Sequence, residues 1–100
     1  MKRKRFINPI MYAMQLTEYF DATQMVAVVL DSDLKLVVRM YEGSPEDYES
    51  GDAELLTEIN TGLNGYDDSS KIKDFVRQLV EALIERGVTA IHYNPEEIGE

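Results

Sequence analysis

Residues 69–93, SSKIKDFVRQLVEALIERGVTAIHY, carry a start signal, a periodicity, a stop signal and the next element in one run. Ile72, Phe75, Val76, Leu79, Val80, Leu83 and Ile84 recur at steps of three and four, which lays them along one stripe of an α-helix. Lys71, Lys73, Asp74, Arg77, Gln78, Glu81 and Glu85 take the other side. The hydroxyl of Ser69 or Ser70 is placed to cap the first turn, and Gly87 stands where a left-handed residue ends a helix and folds Val88 back toward Leu83. Val88 to Tyr93 is rich in β-branched and aromatic residues. It reads as a strand, ended at Asn94-Pro95 because proline has no amide to give a ladder.

Upstream the period changes from helical to alternating. Gln24–Leu30 (QMVAVVL) and Leu34–Tyr41 (LKLVVRMY) are two strands separated by Asp31-Ser32-Asp33, residue types that tolerate turn geometry, so a hairpin is expected. In the second strand Leu34, Leu36, Val38 and Met40 share one face, against Lys35, Val37, Arg39 and Tyr41 on the other. The first strand is apolar on both faces, which predicts a central position between its hairpin partner and Val88–Tyr93. Ahead of the hairpin, Asn8-Pro9 supplies a cap and a first-turn proline for a helix running to about Phe20 or Asp21.

Between hairpin and long helix lie residues 42–68, with Glu42, Glu46, Asp47, Glu49, Asp52, Glu54, Glu58, Asp67 and Asp68 and no Lys or Arg. Gly43 to Gly51 reads as a loop by composition. Asp52 to Asn60 reads as a short helix burying Ala53, Leu55, Leu56 and Ile59, and Thr61 to Tyr66 breaks it. The expected fold is α+β: a small, about three-stranded sheet with helices packed on one face, in the order α-β-β-α-α-β. Residues 1–7 form a basic flexible arm and 8–100 a single domain.

The totals narrow the function. The net charge is −9, and four of the ten basic residues sit in positions 1–5, so the rest of the chain holds nineteen acids against six bases. Such a body repels phosphate backbones and anionic membranes and steers toward cations. Direct nucleic-acid binding is therefore not expected of the folded part. The absence of cysteine excludes disulfides, thiolate nucleophiles and cysteine-held metals. No apolar run reaches membrane-spanning length, and Phe6-Ile7-Asn8-Pro9 interrupts any leader after the basic start, so a cytoplasmic location is expected.

No catalytic or metal constellation emerges. Asp31-Ser32-Asp33 lacks the turn glycine and distal glutamate of a calcium loop and reads as a turn. His92, the one histidine, has no nucleophile or second ligand placed beside it by the sequence, and Gly62 and Gly65 have neither a strand before them nor a basic residue after them as a phosphate loop requires. No cofactor or metal is expected, and the chain is not expected to be an enzyme.

Two surfaces remain. The first is the acid-rich stretch: Glu42, Glu46, Asp47, Tyr48, Glu49, Asp52, Glu54, Glu58, Asp67 and Asp68 are the candidate contacts for a basic protein, with Tyr41, Tyr48 and Tyr66 as flat contact area. The second is the first helix, apolar nearly all round with Glu18 its one charge. Met11, Tyr12, Met14, Tyr19 and Phe20 are candidates for self-association as a homodimer. In size, acidity and lack of cysteine the chain resembles immunity proteins, antitoxins and phage-encoded nuclease inhibitors as a loose class, features that type III secretion chaperones share. No motif carries the likeness, so it implies no residue roles. The expected function is a small noncatalytic binding protein that engages a basic partner such as a nucleic-acid enzyme, acting as an inhibitor or nucleic-acid mimic. The alternative is a chaperone-like or structural protein working through the apolar helix.

Overall fold

A computed structural model describes residues 8–18 and 20–93. The order is α1 (Pro9–Thr17), β1 (Gln24–Leu30), β2 (Lys35–Glu42), α2 (Pro45–Ser50), β3 (Glu54–Asn64), α3 (Ser69–Glu85) and β4 (Ile91–Tyr93). The expected arm at 1–7, Tyr19 and the strand end at Asn94-Pro95 lie outside the described residues.

The class is α+β, with one sheet of four strands in the order β3-β2-β1-β4. β1 is central, as its two apolar faces predict: Met25, Val26, Ala27, Val28 and Val29 are all buried. It pairs antiparallel with β2, from Gln24 opposite Glu42 to Leu30 opposite Leu36, and parallel with β4, Val26 opposite Ile91. Asp31 makes the hairpin turn, its carboxylate accepting from the amides of Asp33 (2.8 Å) and Lys35 (2.9 Å). Leu34 is not part of the core-facing row. It occupies the left-handed turn position (φ 62°), while Leu36, Val38 and Met40 are buried as expected.

α3 follows its sequence signals closely. Ile72, Phe75, Val76, Leu79 and Leu83 are buried against Val26, Val28, Leu36 and Val38, but Ile84 at the stripe's margin is exposed. Asp68, rather than either serine, caps the first turn by accepting from the Ser70 amide. At the far end Gly87 (φ 93°) turns the chain and the Val88 amide donates to the Leu83 carbonyl at 3.0 Å. Val88 is thereby held in the core as the last residue of the helix closure, so β4 begins three residues later than its composition suggests.

Three expectations are corrected. Residues 52–60 are not a helix: Glu54–Asn64 is a strand pairing with β2, which makes four strands and the order α-β-β-α-β-α-β. Leu55, Leu56 and Ile59 have helical spacing, but Thr57, Ile59, Thr61 and Leu63 also alternate, and the open edge of β2 decides between the two periods. Buried Thr61 fastens the pairing by donating its hydroxyl to the Leu36 carbonyl at 2.8 Å. Second, 43–51 is not all loop, because α2 forms there. Third, the helices do not share one face. α1 and α3 build the main core, whereas Tyr48 of α2 packs with the cluster of Met25, Ala27, Val29 and Val37 on the opposite side of the sheet. α1 is also shorter than expected. The Thr17 hydroxyl bonds back to the Ala13 carbonyl at 2.8 Å, and Asp21 starts a turn held by Gln24. Among the described residues no helix is long and apolar enough to cross a membrane.

Candidate functional site

The acidic stretch is shaped by the chain reversal from β2 to β3. Ser44-Pro45-Glu46-Asp47 is a capping box: the Ser44 hydroxyl accepts from the Asp47 amide at 3.2 Å, and the Asp47 carboxylate accepts from the Ser44 amide at 3.0 Å. Proline fits the first position of α2, and Gly51 (φ 87°) ends it in the left-handed conformation. Gly43 (φ 139°) lets α2 fold tightly onto the strand ends, since a Cβ there would lie 3.2 Å from the Cβ atoms of Ala53 and Asp47. The chain then re-enters the sheet with Glu54 directly opposite Glu42.

This geometry brings Glu42, Glu46, Asp47, Glu49, Asp52 and Glu54 to one end of the sheet. Their availability differs. Asp47 is committed to the cap, Asp52 accepts from the Ser50 hydroxyl, and half-buried Glu42 accepts from Gln24 at 3.3 Å. The side chains of Glu46, Glu49 and Glu54 are exposed and make no hydrogen bond or ion pair with the described residues. The ion pairs among the described residues join Arg39 to Glu58 and Arg77 to Asp74 and Glu81, so none reaches residues 42–54.

The remaining candidates stand elsewhere. Glu58 lies midway along β3, where its hydrogen bond to Arg39 raises the guanidinium pKa further above its ordinary value. Asp67 and Asp68 sit beyond the far end of β3, where Asn64 lies opposite Lys35 while Glu54 lies opposite Glu42, about 23 Å away at an ordinary rise per residue of β2. Both are engaged: Asp67 accepts from the Asn64 amide and Asp68 caps α3. The ten residues therefore do not make one surface. Tyr48 is half-buried, its ring 5.0 Å from Tyr41 and 4.8 Å from His92, so all three rings line the sheet. Tyr66 is exposed, but at the Asp67 end.

On α1, Met11 and Met14 are exposed together with Ile10, while Tyr12 packs edge-on against Phe75; Phe20, beyond the end of α1, is half-buried against the core. Among the described residues no group of three or more His, Asp or Glu side chains is arranged as a metal site. The opposition of Glu42 and Glu54 was not readable without the strand assignment of β3. The capping box was, from serine, proline and aspartate spaced ahead of Gly51. No family model matches the chain, and neither a curated protein nor a solved structure is significantly similar to it.

Proposed function

We propose that the protein is a noncatalytic binding protein, acting in the cytoplasm, that engages a basic protein partner through the acidic end formed by residues 42–54. The observation that carries this reading is the placement of Glu54 opposite Glu42 in the β2–β3 ladder, at the sheet end where α2 with Glu46 and Glu49 joins the two strands, with no ion pair among the described residues to offset them. Like charges directly opposite in a ladder are unfavourable by a few tenths to about 1 kcal/mol. A lysine or arginine from a partner relieves that repulsion, and the same field accelerates its approach. A nucleic-acid enzyme, whose own groove is basic, is the kind of partner this suits. The test is capture of a partner from the native host at low salt, repeated at high salt and with Glu46, Glu49 and Glu54 changed to lysine. Loss under both conditions supports the reading, and retention by the triple variant overturns it.

A second reading is favoured by α1, where Ile10, Met11 and Met14 expose about half of their surface side by side. These are side chains typical of interface centres, and a twofold dimer would cover them. Sedimentation equilibrium distinguishes the two: a dimer that Met11→Lys with Met14→Lys returns to one chain supports the helix, and one-chain mass throughout rejects it.

A further inference from the structure

Resting on the reading of a basic partner, we propose that the partner contributes an extended segment, alternating cationic with apolar residues, that adds to the outer edge of β3 as a fifth strand. β3 is a terminal strand of the sheet, unpaired on its outer side among the described residues. The direction of its backbone groups follows from the hairpin. Asp31 N–H donates to Lys35 C=O and Gly43 N–H to Thr23 C=O, so the odd-numbered residues of β2 face β1 across their unbroken register. Val38 and Met40 therefore face β3, where they meet Ile59 and Thr57. Glu58 and Asn60 consequently turn their N–H and C=O outward.

Strands left open in this way are normally blunted with lysine, proline or cover, and Glu54–Asn64 contains neither residue. Register shifts do interrupt the pairing between Met40 and Tyr41 and between Lys35 and Val37, which leaves Thr57–Asn60 as the regular stretch that a new strand would extend. The two faces of that stretch differ. Beside Thr57 and Ile59, a groove under α1 is lined by Leu16, Met40 and Leu56, with Glu18 on its rim. On the reverse face stands Glu58. An incoming strand would thus place apolar side chains under α1 and cationic ones on the Glu58 face, where Arg39 holds Oε2 and leaves Oε1 open to a second cation, the alternation that a two-sided strand imposes. A second copy of β3 is a poor occupant, because it would bring its own Glu54 and Glu58 against this acidic edge.

The experiment uses the whole chain and a blocked eight-residue peptide alternating lysine and valine, read by amide hydrogen exchange. Two further peptides carry N-methyl groups on all the lysines or on all the valines, preserving charge while removing alternate donors. With the unmodified peptide at about ten times its Kd, exchange at Glu58 and Asn60 is expected to slow about tenfold. One N-methylated form keeps this effect and the other loses it, because only one set of amides faces β3. Equal behaviour of the two forms, or peptide binding that leaves Glu58 and Asn60 unprotected, overturns strand addition. If such binding is salt-sensitive and is lost in the Glu46, Glu49, Glu54 triple lysine variant, the acidic-end reading stands without it. Protection at Glu58 and Asn60 that survives in the triple variant supports strand addition and overturns the acidic end instead. Protection that grows with protein concentration before peptide is added identifies a second copy and overturns the proposal.

Discussion

The Tyr48 ring of α2 lies against the His92 ring of β4, centroids 4.8 Å apart and planes at 45°, with Tyr41 edge-on at 5.0 Å. α2 has no fully buried residue, so this half-buried ring is its main apolar hold on the sheet. Tyr48→Ala is expected to destabilise the protein by about 1 to 3 kcal/mol through lost ring contacts and exposure of Met25 and Ala27. A denaturant melt with a loss below about 0.5 kcal/mol would mean that the capping box and Gly43 alone hold α2 in place.

The main core is expected to respond more strongly. Leu79 is fully buried and Phe75 nearly so, both centred on α3. Leu79→Ala and Phe75→Ala should each cost about 2 to 5 kcal/mol, because the cavity adds to the lost burial. Ile84, 59% exposed on the same helix, is the internal control. Its truncation should fall within about 0.5 kcal/mol of wild type. Equal losses at Leu79 and Ile84 would contradict the helix orientation.

Charge at the acidic end separates stability from binding. Glu54→Lys converts the like-charged pair with Glu42 into an opposite one and is expected to stabilise by about 0.2 to 1 kcal/mol. Changing Glu46, Glu49 and Glu54 together should leave the melt no lower than wild type while the association rate with a basic partner falls steeply. Asp47→Lys is different in kind, since it breaks the capping box and lowers stability. Thermal melts and stopped-flow mixing at two ionic strengths check both halves. A triple variant that binds at the wild-type rate leaves these carboxylates a solubilising role alone.

Acid should loosen α3 from its first turn. The Asp68 carboxylate accepts from the Ser70 hydroxyl and amide, and these bonds, the hydroxyl first, hold its pKa below the ordinary value. A depressed folded-state pKa means that the stabilisation is complete above the unfolded value of about 3.9 and is lost as pH falls through the folded one. Asp74 beside Arg77, and Asp31 under the Lys35 amide, are lowered in the same direction. Asp68→Asn keeps an acceptor at the cap and removes the titration. The stability difference between wild type and this variant should therefore shrink as pH drops from about 5 toward 2. A constant difference across that range would show that the cap's charge contributes nothing.

What the sequence made legible is unequal along the chain, for physical reasons. α3 was readable because its apolar stripe, its glycine stop and the return of Val88 agree. The hairpin was readable because turn chemistry and alternation coincide at Asp31. β3 was misread where two periods overlap. Leu55, Leu56 and Ile59 suit a helix, but Leu56 is the extra residue of a bulge and stays exposed with Leu55, while Ile59, Thr61 and Leu63 face inward. The choice was made by the vacant edge of β2, which no local window contains. The acidic candidates divided for the same reason: a strand running the whole length of β2 now separates residues that a short helix would have kept together.

The parallel contact of β4 with β1 has a consequence for how the chain is made. Val26 meets Ile91, so one flank of the most apolar strand finds its neighbour only when residues 91–93 have emerged from the ribosome. At about 5 to 20 residues per second, that flank waits several seconds after β1 itself has appeared. During that time the hairpin has β2 on one side and an open, apolar edge on the other. Any factor that shields nascent chains would meet this protein at β1, and premature termination between residues 65 and 90 would release products that expose it permanently.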